Sequence, residues 1–213
     1  MVKLAIVGLG VMGLRFYQLL KELGIEVTAV CDIDREKLEK FKGVVQNTYT
    51  DYRAMADEGG FDGVIIAVPP RYHVEQAVEF LKRGNYVFLE KPMAHDLEGA
   101  KKIYDVAKGK NRLFIGYCLR FNRLYREVKR LVDEVGGSPR FLWHIALGLF
   151  PQRGWIKDKS ISGGVLNEHG SHVIYVFYWY AGPVRKVYAN MVFDGEEVEK
   201  QFTVVLEHSS GAR

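Results

Sequence analysis

With 213 residues, 48% of them hydrophobic, and a net charge of +4 from 30 basic and 26 acidic side chains in mixed order, the chain has an ordinary globular composition. This excludes a nucleic-acid binder of the usual kind, which concentrates its charge. It also excludes a disulfide framework, because only Cys31 and Cys118 occur, without metal-ligand spacing.

The start runs straight into an apolar strand, and no apolar stretch approaches the ~20 residues of a membrane span, so a soluble cytoplasmic protein with no membrane or nucleic-acid partner is expected. Lys3 to Val7 reads as a buried strand ending in Gly8-Leu-Gly10-Val11-Met12-Gly13. Leu14, Phe16, Tyr17, Leu19, Leu20 and Leu23 then recur at helical spacing up to Gly24. Ile25 to Cys31 is a second strand, followed by Asp32 and a charged helix from Asp34 to Phe41. Val44–Val45 is expected as a weak strand and Asp51 to Asp57 as a short helix. Gly63 to Val68 is a strongly apolar strand closed by Pro69-Pro70, Tyr72 to Lys82 a helix, and Tyr86 to Leu89 a strand closed by Glu90-Lys91-Pro92. Asp96 to Ala107 reads as a helix and Leu113 to Gly116 as a strand. Strands alternating with helices predict a doubly wound parallel α/β sheet over residues 1–118.

Over residues 119–213 the rhythm changes to an α+β pattern. Leu124 to Val135 is an amphipathic helix. The basic residues between Arg120 and Arg130 are interleaved with Phe121, Leu124, Tyr125 and Val128, as on a solvated helix face. Arg140 to Gly148 is expected as a strand. Gly163-Gly164 is expected to open a helix to Tyr180, and Val184–Phe193 and Glu199–Glu207 to be two strands joined at Asp194-Gly195.

The glycine pattern sits in the context that gives it meaning: strand before, helix after, second strand, then an acid. Gly8 permits the tight turn, Gly10 lets the backbone approach a pyrophosphate, and Gly13 lets the helix pack close. The N–H groups of Val11, Met12 and Gly13 would face the phosphates at a helix N-terminus. Asp32 lies 19 residues past Gly13, where an acid binds the adenosine ribose. It favours NAD, and Arg35 is the cation that keeps NADP open.

Gly8 to Gly13, Ala67-Val-Pro69-Pro-Arg-Tyr-His73, Glu90-Lys91-Pro92, Gly116-Tyr-Cys-Leu-Arg120-Phe-Asn122 and Gly163-Gly-Val-Leu-Asn-Glu168-His-Gly170-Ser-His172 together resemble the glucose-fructose oxidoreductase/inositol dehydrogenase (Gfo/Idh/MocA) family over the whole chain. The resemblance implies a Rossmann domain followed by a mainly antiparallel open-sheet domain. It also implies hydride transfer between NAD(P) and a carbinol carbon of a sugar, polyol or related small molecule. It makes Lys91 the group that stabilises the reacting oxygen and His172 the acid–base, with Glu168 one turn away to orient it. It places Ala67, Pro69, His73, Glu90 and Lys91 on the nicotinamide side of the cofactor, and Arg120, Asn122, Trp155, Glu168 and His172 toward substrate. Packing is the competing role for His73, Arg120, Asn122 and Trp155.

Two residues depart from the family. Relatives usually carry Asp at the Glu168 position, and many carry Asp at the Tyr175 position. The chain is also short for the family: about three strands of the second sheet are expected, so either the chain is a fragment or another subunit of a homo-oligomer covers the open face. A non-catalytic dinucleotide sensor is the alternative to an enzyme.

Overall fold

A computed structural model describes residues 2–145, 154–193 and 197–213. The chain forms two compact units, Met1–Gly116 and Tyr117–Arg213.

In the first unit, β1 (Lys3–Val7), β2 (Glu26–Cys31), β3 (Asn47–Tyr49), β4 (Gly63–Ile66), β5 (Tyr86–Leu89) and β6 (Leu113–Ile115) form one sheet in the order β3-β2-β1-β4-β5-β6. Every adjacent pair is parallel. The connecting helices are α1 (Val11–Glu22), α2 (Arg35–Glu39), α3 (Tyr52–Glu58), α4 (His73–Lys82) and α5 (Leu97–Ala107). Both faces of the sheet are buried, and alternate residues of each strand serve different cores. Ala5, Val7, Ala29, Cys31, Val64, Ile66, Val87 and Leu89 pack with Met55, Phe80, Leu81 and Ile103. Ile6, Val30 and Ile65 point the other way, onto Leu20, Leu38 and Phe41. This is why the strands read as continuous apolar runs rather than as alternating ones.

The strand expected at Val44–Val45 is displaced to Asn47–Tyr49. Two turn bonds win over the β-branched pair: the N–H groups of Val44 and Val45 both donate to the Phe41 carbonyl, at 3.0 and 3.2 Å. Val45 is then buried beneath α2, and the polar Asn-Thr-Tyr segment pairs with Ala29–Cys31.

The second unit holds α6 (Arg123–Glu134), the short α7 (Lys159–Ser162), α8 (Ser171–Ala181), β7 (Val184–Val192) and β8 (Gln201–His208). Strands β7 and β8 pair antiparallel, and among the described residues they make up the whole second sheet, two strands rather than about three. The expected strand at 140–148 is absent over 140–145, where Phe141 and Trp143 are exposed; 146–148 lie outside the described residues, as do 194–195 of the expected turn. Arg140 and Leu142 do exchange backbone hydrogen bonds with Arg213, at 3.1 and 2.8 Å.

The helix expected to open at Gly163-Gly164 is also built differently. Both glycines have positive φ, 79° and 97°. Gly163 ends α7, and the chain then enters a π turn, Leu166–Gly170, that leads into α8. The four-residue spacing from Glu168 to His172 therefore spans a π–α junction rather than one uniform helix, a feature frequent at functional sites.

Candidate functional site

The three glycines after β1 have separable causes. Gly8 has φ +92°, and a Cβ there would lie 2.4 Å from the Ala67 carbonyl oxygen. A Cβ on Gly13 would lie 1.8 Å from the Gly8 carbonyl oxygen, because α1 is packed directly on the turn. These two glycines are required by the protein itself. Gly10 is not: its φ is −74° and nothing lies within 4 Å of a Cβ built on it. The space in front of Gly10 is a cradle that a side chain would fill. Gly10 caps α1 without a side-chain hydrogen bond, the first turn holds no acidic residue, and its N–H groups lack intrahelical acceptors. That donor set suits a pyrophosphate.

Asp32 follows β2 and is buried at 8% exposure. Its Oδ2 accepts the Leu9 N–H at 2.6 Å, tying the acid to the glycine turn, and its Oδ1 accepts the Asp34 N–H at 2.9 Å. Ala67 follows β4, its N–H donating to the Val7 carbonyl at 2.8 Å. The Pro69 carbonyl accepts the Tyr72 N–H at 3.0 Å. After β5, the buried Glu90 accepts the Lys91 N–H at 3.0 Å, and Gly116 comes close to it: a Cβ there would lie 3.2 Å from Glu90 Oε2. The Lys91–Pro92 peptide is cis. Gly8, Gly10, Asp32, Ala67, Glu90 and Lys91 thus line the carboxyl edge of one parallel sheet, where open α/β folds bind ligands.

His73, for which packing competes with cofactor contact, is packed within the first unit. It is fully buried, Nδ1 lying 2.8 Å from the Pro92 carbonyl oxygen and Nε2 2.8 Å from that of Val68. Both ring nitrogens are committed to backbone, so the side chain ties the segment after β4 to the segment after β5. Burial pushes its pKa below the ordinary imidazole value, against the pull of the two carbonyls.

In the second unit, α8 carries His172 and Tyr175. The Tyr117 ring stacks on Tyr175 at 4.3 Å and meets the His172 ring edge-on at 6.1 Å. Arg120 Nη1 donates to the Tyr175 hydroxyl at 2.5 Å, and its guanidinium lies 5.5 Å from the Trp179 ring centroid. Arg120, expected at substrate, is thus held by an aromatic cluster on α8. Asn122, also expected there, spends its Oδ1 on capping α6, accepting the Leu124 N–H at 2.9 Å. Trp155 lies in a one-turn helix, Gly154–Lys157, at 37% exposure; residues 151–153 before it lie outside the described residues. A cleft of about 530 Å³ in this unit, which Trp155 does not line, is lined by Tyr117, Asn167, Ser171, Tyr175 and Glu199, among others.

A profile described as "Oxidoreductase family, NAD-binding Rossmann fold" matches residues 2–117, and the Gfo/Idh/MocA carboxyl-terminal domain matches 125–213. The chain belongs to the Gfo/Idh/MocA oxidoreductase family. It is 32% identical over 145 residues to an inositol 2-dehydrogenase/D-chiro-inositol 3-dehydrogenase of Lactiplantibacillus plantarum, covering 64% of this chain and 41% of that protein. It is 27% identical to a scyllo-inositol 2-dehydrogenase (NADP(+)) of Bacillus subtilis, covering 98% of this chain and 67% of that one. Its fold superposes with a TM-score of 0.85 and 26% identity on a WlbA dehydrogenase from Chromobacterium violaceum solved with NADH and UDP-GlcNAcA, over 99% of this chain and 65% of that chain. The chain therefore spans about two fifths of the first of these curated relatives.

Two residues of this family member escaped sequence reasoning. Glu199, 4% exposed, accepts the Leu166 N–H at 2.6 Å from 33 residues away and so caps the π turn that carries Glu168. It also explains Gly164, where a Cβ would sit 2.7 Å from its carboxylate. No local pattern signals so distant a pair. Lys37, five residues past Asp32, places Nζ 3.3 Å from Asp32 Oδ2. Its sign and spacing were visible, but only the turn into α2 brings it onto the carboxylate.

Proposed function

We propose that this protein is an NAD(P)-dependent dehydrogenase acting on a CH–OH carbon of a cyclitol, sugar or related polyol in the cytoplasm. The observation that carries the reading is Gly10: the protein's own packing accounts for Gly8 and Gly13, and a backbone approach by a phosphate accounts for Gly10. The inositol dehydrogenase names of the relatives support the substrate class.

When bound, the nicotinamide supplies the hydride acceptor or donor. Asp32 would accept the hydroxyls of the adenosine ribose, and the Val11, Met12 and Gly13 N–H groups would hold the phosphates. Glu90, Ala67 and Pro69 would shape the nicotinamide end. Lys91 would donate a hydrogen bond to the reacting oxygen and stabilise charge developing there. His172 would take the hydroxyl proton in oxidation and return it in reduction, oriented by Glu168. Tyr175, held by Arg120, would present an aromatic wall to the substrate ring. Val187, Tyr188, Met191, Val192 and Val205 leave much apolar surface exposed on β7 and β8. This supports self-association through that sheet, which light scattering tests: a monodisperse monomer would contradict it.

The direct test of function is NADH or NADPH appearance at 340 nm with a panel of inositols, sugars and uronic-acid derivatives. Turnover of at least one is expected. Tight dinucleotide binding with no turnover on any would favour a sensor instead.

A further inference from the structure

We propose that Glu199 is a positioning residue for His172: its buried carboxylate caps the π turn Leu166–Gly170 and so fixes the side of α8 on which the acid–base ring stands. The inference rests on the dehydrogenase reading above, in which His172 moves the proton, and adds a residue that acts through His172 rather than on the substrate. The π turn has no cap of its own. Val165, which precedes it, makes no side-chain cap, and before Val165 come the two left-handed glycines, Gly163 and Gly164. The first N–H groups of a helical segment need acceptors from outside it. Glu199 Oε1 accepts the Leu166 N–H at 2.6 Å, a short charge-assisted bond. Its negative charge also suits the positive end of the segment.

The carboxylate is held from both sides. Glu199 is 4% exposed, and Val198 before it is buried. The Lys200 N–H after it donates to the carbonyl of Val192, the last residue of β7, at 2.7 Å. Opposite, Gly164 leaves the room: a Cβ there would lie 2.7 Å from Glu199 Oε2 and 2.9 Å from Oε1. Gly164 is itself fixed. Its N–H donates to Oγ of the buried Ser162 at 3.0 Å, and its carbonyl accepts the Glu168 N–H at 3.0 Å. What the cap pins is helical phase. A π turn closes on i→i+5 bonds and holds one residue more than the α-helix it interrupts. An α-helix turns about 100° per residue. If the uncapped turn relaxed to α geometry, His172 would swing by about that angle relative to the glycine turn. Its ring would leave Tyr117, which it now meets edge-on at 6.1 Å.

The test compares the full-length parent with Glu199→Gln, Glu199→Asp and Glu199→Ala, each checked for folding by circular dichroism. Two quantities are read: steady-state kinetics on the best substrate of the panel, and the Cε1–H proton resonance of His172, assigned by its loss in His172→Gln. Glu199→Gln keeps an acceptor oxygen at the same reach, so it should hold kcat within about three-fold and leave the resonance in place. Glu199→Ala should cut kcat by ~10²-fold, the scale of a reacting group misplaced by about 1 Å. KM and NAD affinity should stay within a few-fold, and the resonance should move as the ring leaves Tyr117. Glu199→Asp, one methylene short of the Leu166 N–H, should behave as alanine does and supplies the result if Glu199→Ala does not fold. Parent kcat with an unmoved resonance in the shortened variant would overturn the proposal, and so would an equal loss in Glu199→Gln. A raised KM with unchanged kcat in Glu199→Gln would make Glu199 a substrate contact and overturn it as well. A parent that turns over nothing in the panel would instead overturn the dehydrogenase reading, and the resonance would still decide whether Glu199 sets the His172 ring.

Discussion

The ring nitrogen Nδ1 of His73 lies 2.8 Å from the carbonyl oxygen of Pro92, the residue after Lys91, and its other nitrogen reaches the carbonyl of Val68. One buried imidazole thereby sets the spacing between the segments that follow β4 and β5. A neutral ring donates one N–H, so replacing it with alanine leaves one of these buried carbonyls without its donor, at a cost of about 1–3 kcal/mol. For a chain of about 150–250 residues, 1 kcal/mol corresponds to roughly 2–4 °C. His73→Ala should therefore lower Tm by at least ~3 °C, read by calorimetry or circular dichroism. An unchanged Tm would show that the staple carries no load.

The same ring makes stability pH-dependent with a definite sign. Burial holds the pKa of His73 in the folded protein below its ordinary value of ~6.5. The unfolded chain therefore takes up the proton first as pH falls. The contribution of His73 is present above pH ~6.5 and is lost as pH drops toward and through the folded value. The Tm advantage of the parent over His73→Gln should shrink between pH 8 and pH 5. An advantage that grows on acidification would mean that the ring is an imidazolium donating to both carbonyls.

The two thiols should differ sharply. Cys31 closes β2 in the sheet core, and burial together with Asp32 and Asp51 pushes its pKa up to about 12. Cys118 is exposed. At pH 8 a disulfide reagent should titrate one thiol in the native protein and both in denaturant, because only the thiolate reacts. Fast reaction of both in the native state would contradict the packing of β2.

Lys91 is expected to act on the reaction and not on the cofactor's phosphates. Lys91→Ala should cut kcat by at least ~10²-fold, the usual loss for one positioned electrostatic group, while NAD affinity stays within a few-fold. Equal turnover in mutant and parent would remove Lys91 from the chemistry.

Much of this architecture is written locally. β1, β2, β4, β5 and β6 are apolar runs followed within three residues by Gly, Pro or a charged residue, so they were legible within a few residues. The strand at Asn47–Tyr49 was not, because its residues carry no apolar signal and Val44–Val45 nearby carries a false one. The π turn before α8 was hidden for a different reason. It follows two left-handed glycines and a cap by Glu199 from the far end of the unit, and no window of sequence contains both partners. Likewise, motif position left His73 open between packing and cofactor contact, and its ring's place between two backbone carbonyls depends on segments that no local window joins.

The central claim is that the open space before Gly10 receives the phosphates of a nicotinamide dinucleotide. It is tested most directly by titrating NAD into the parent and into Gly10→Ala. Since nothing lies within 4 Å of the added Cβ, the variant should keep the parent's Tm within about 2 °C. The account predicts saturable heat at one NAD per chain for the parent and affinity at least ~10-fold weaker for the variant, the loss expected when a backbone approach is blocked. Equal NAD affinity in both proteins, or no heat from folded parent, would contradict it.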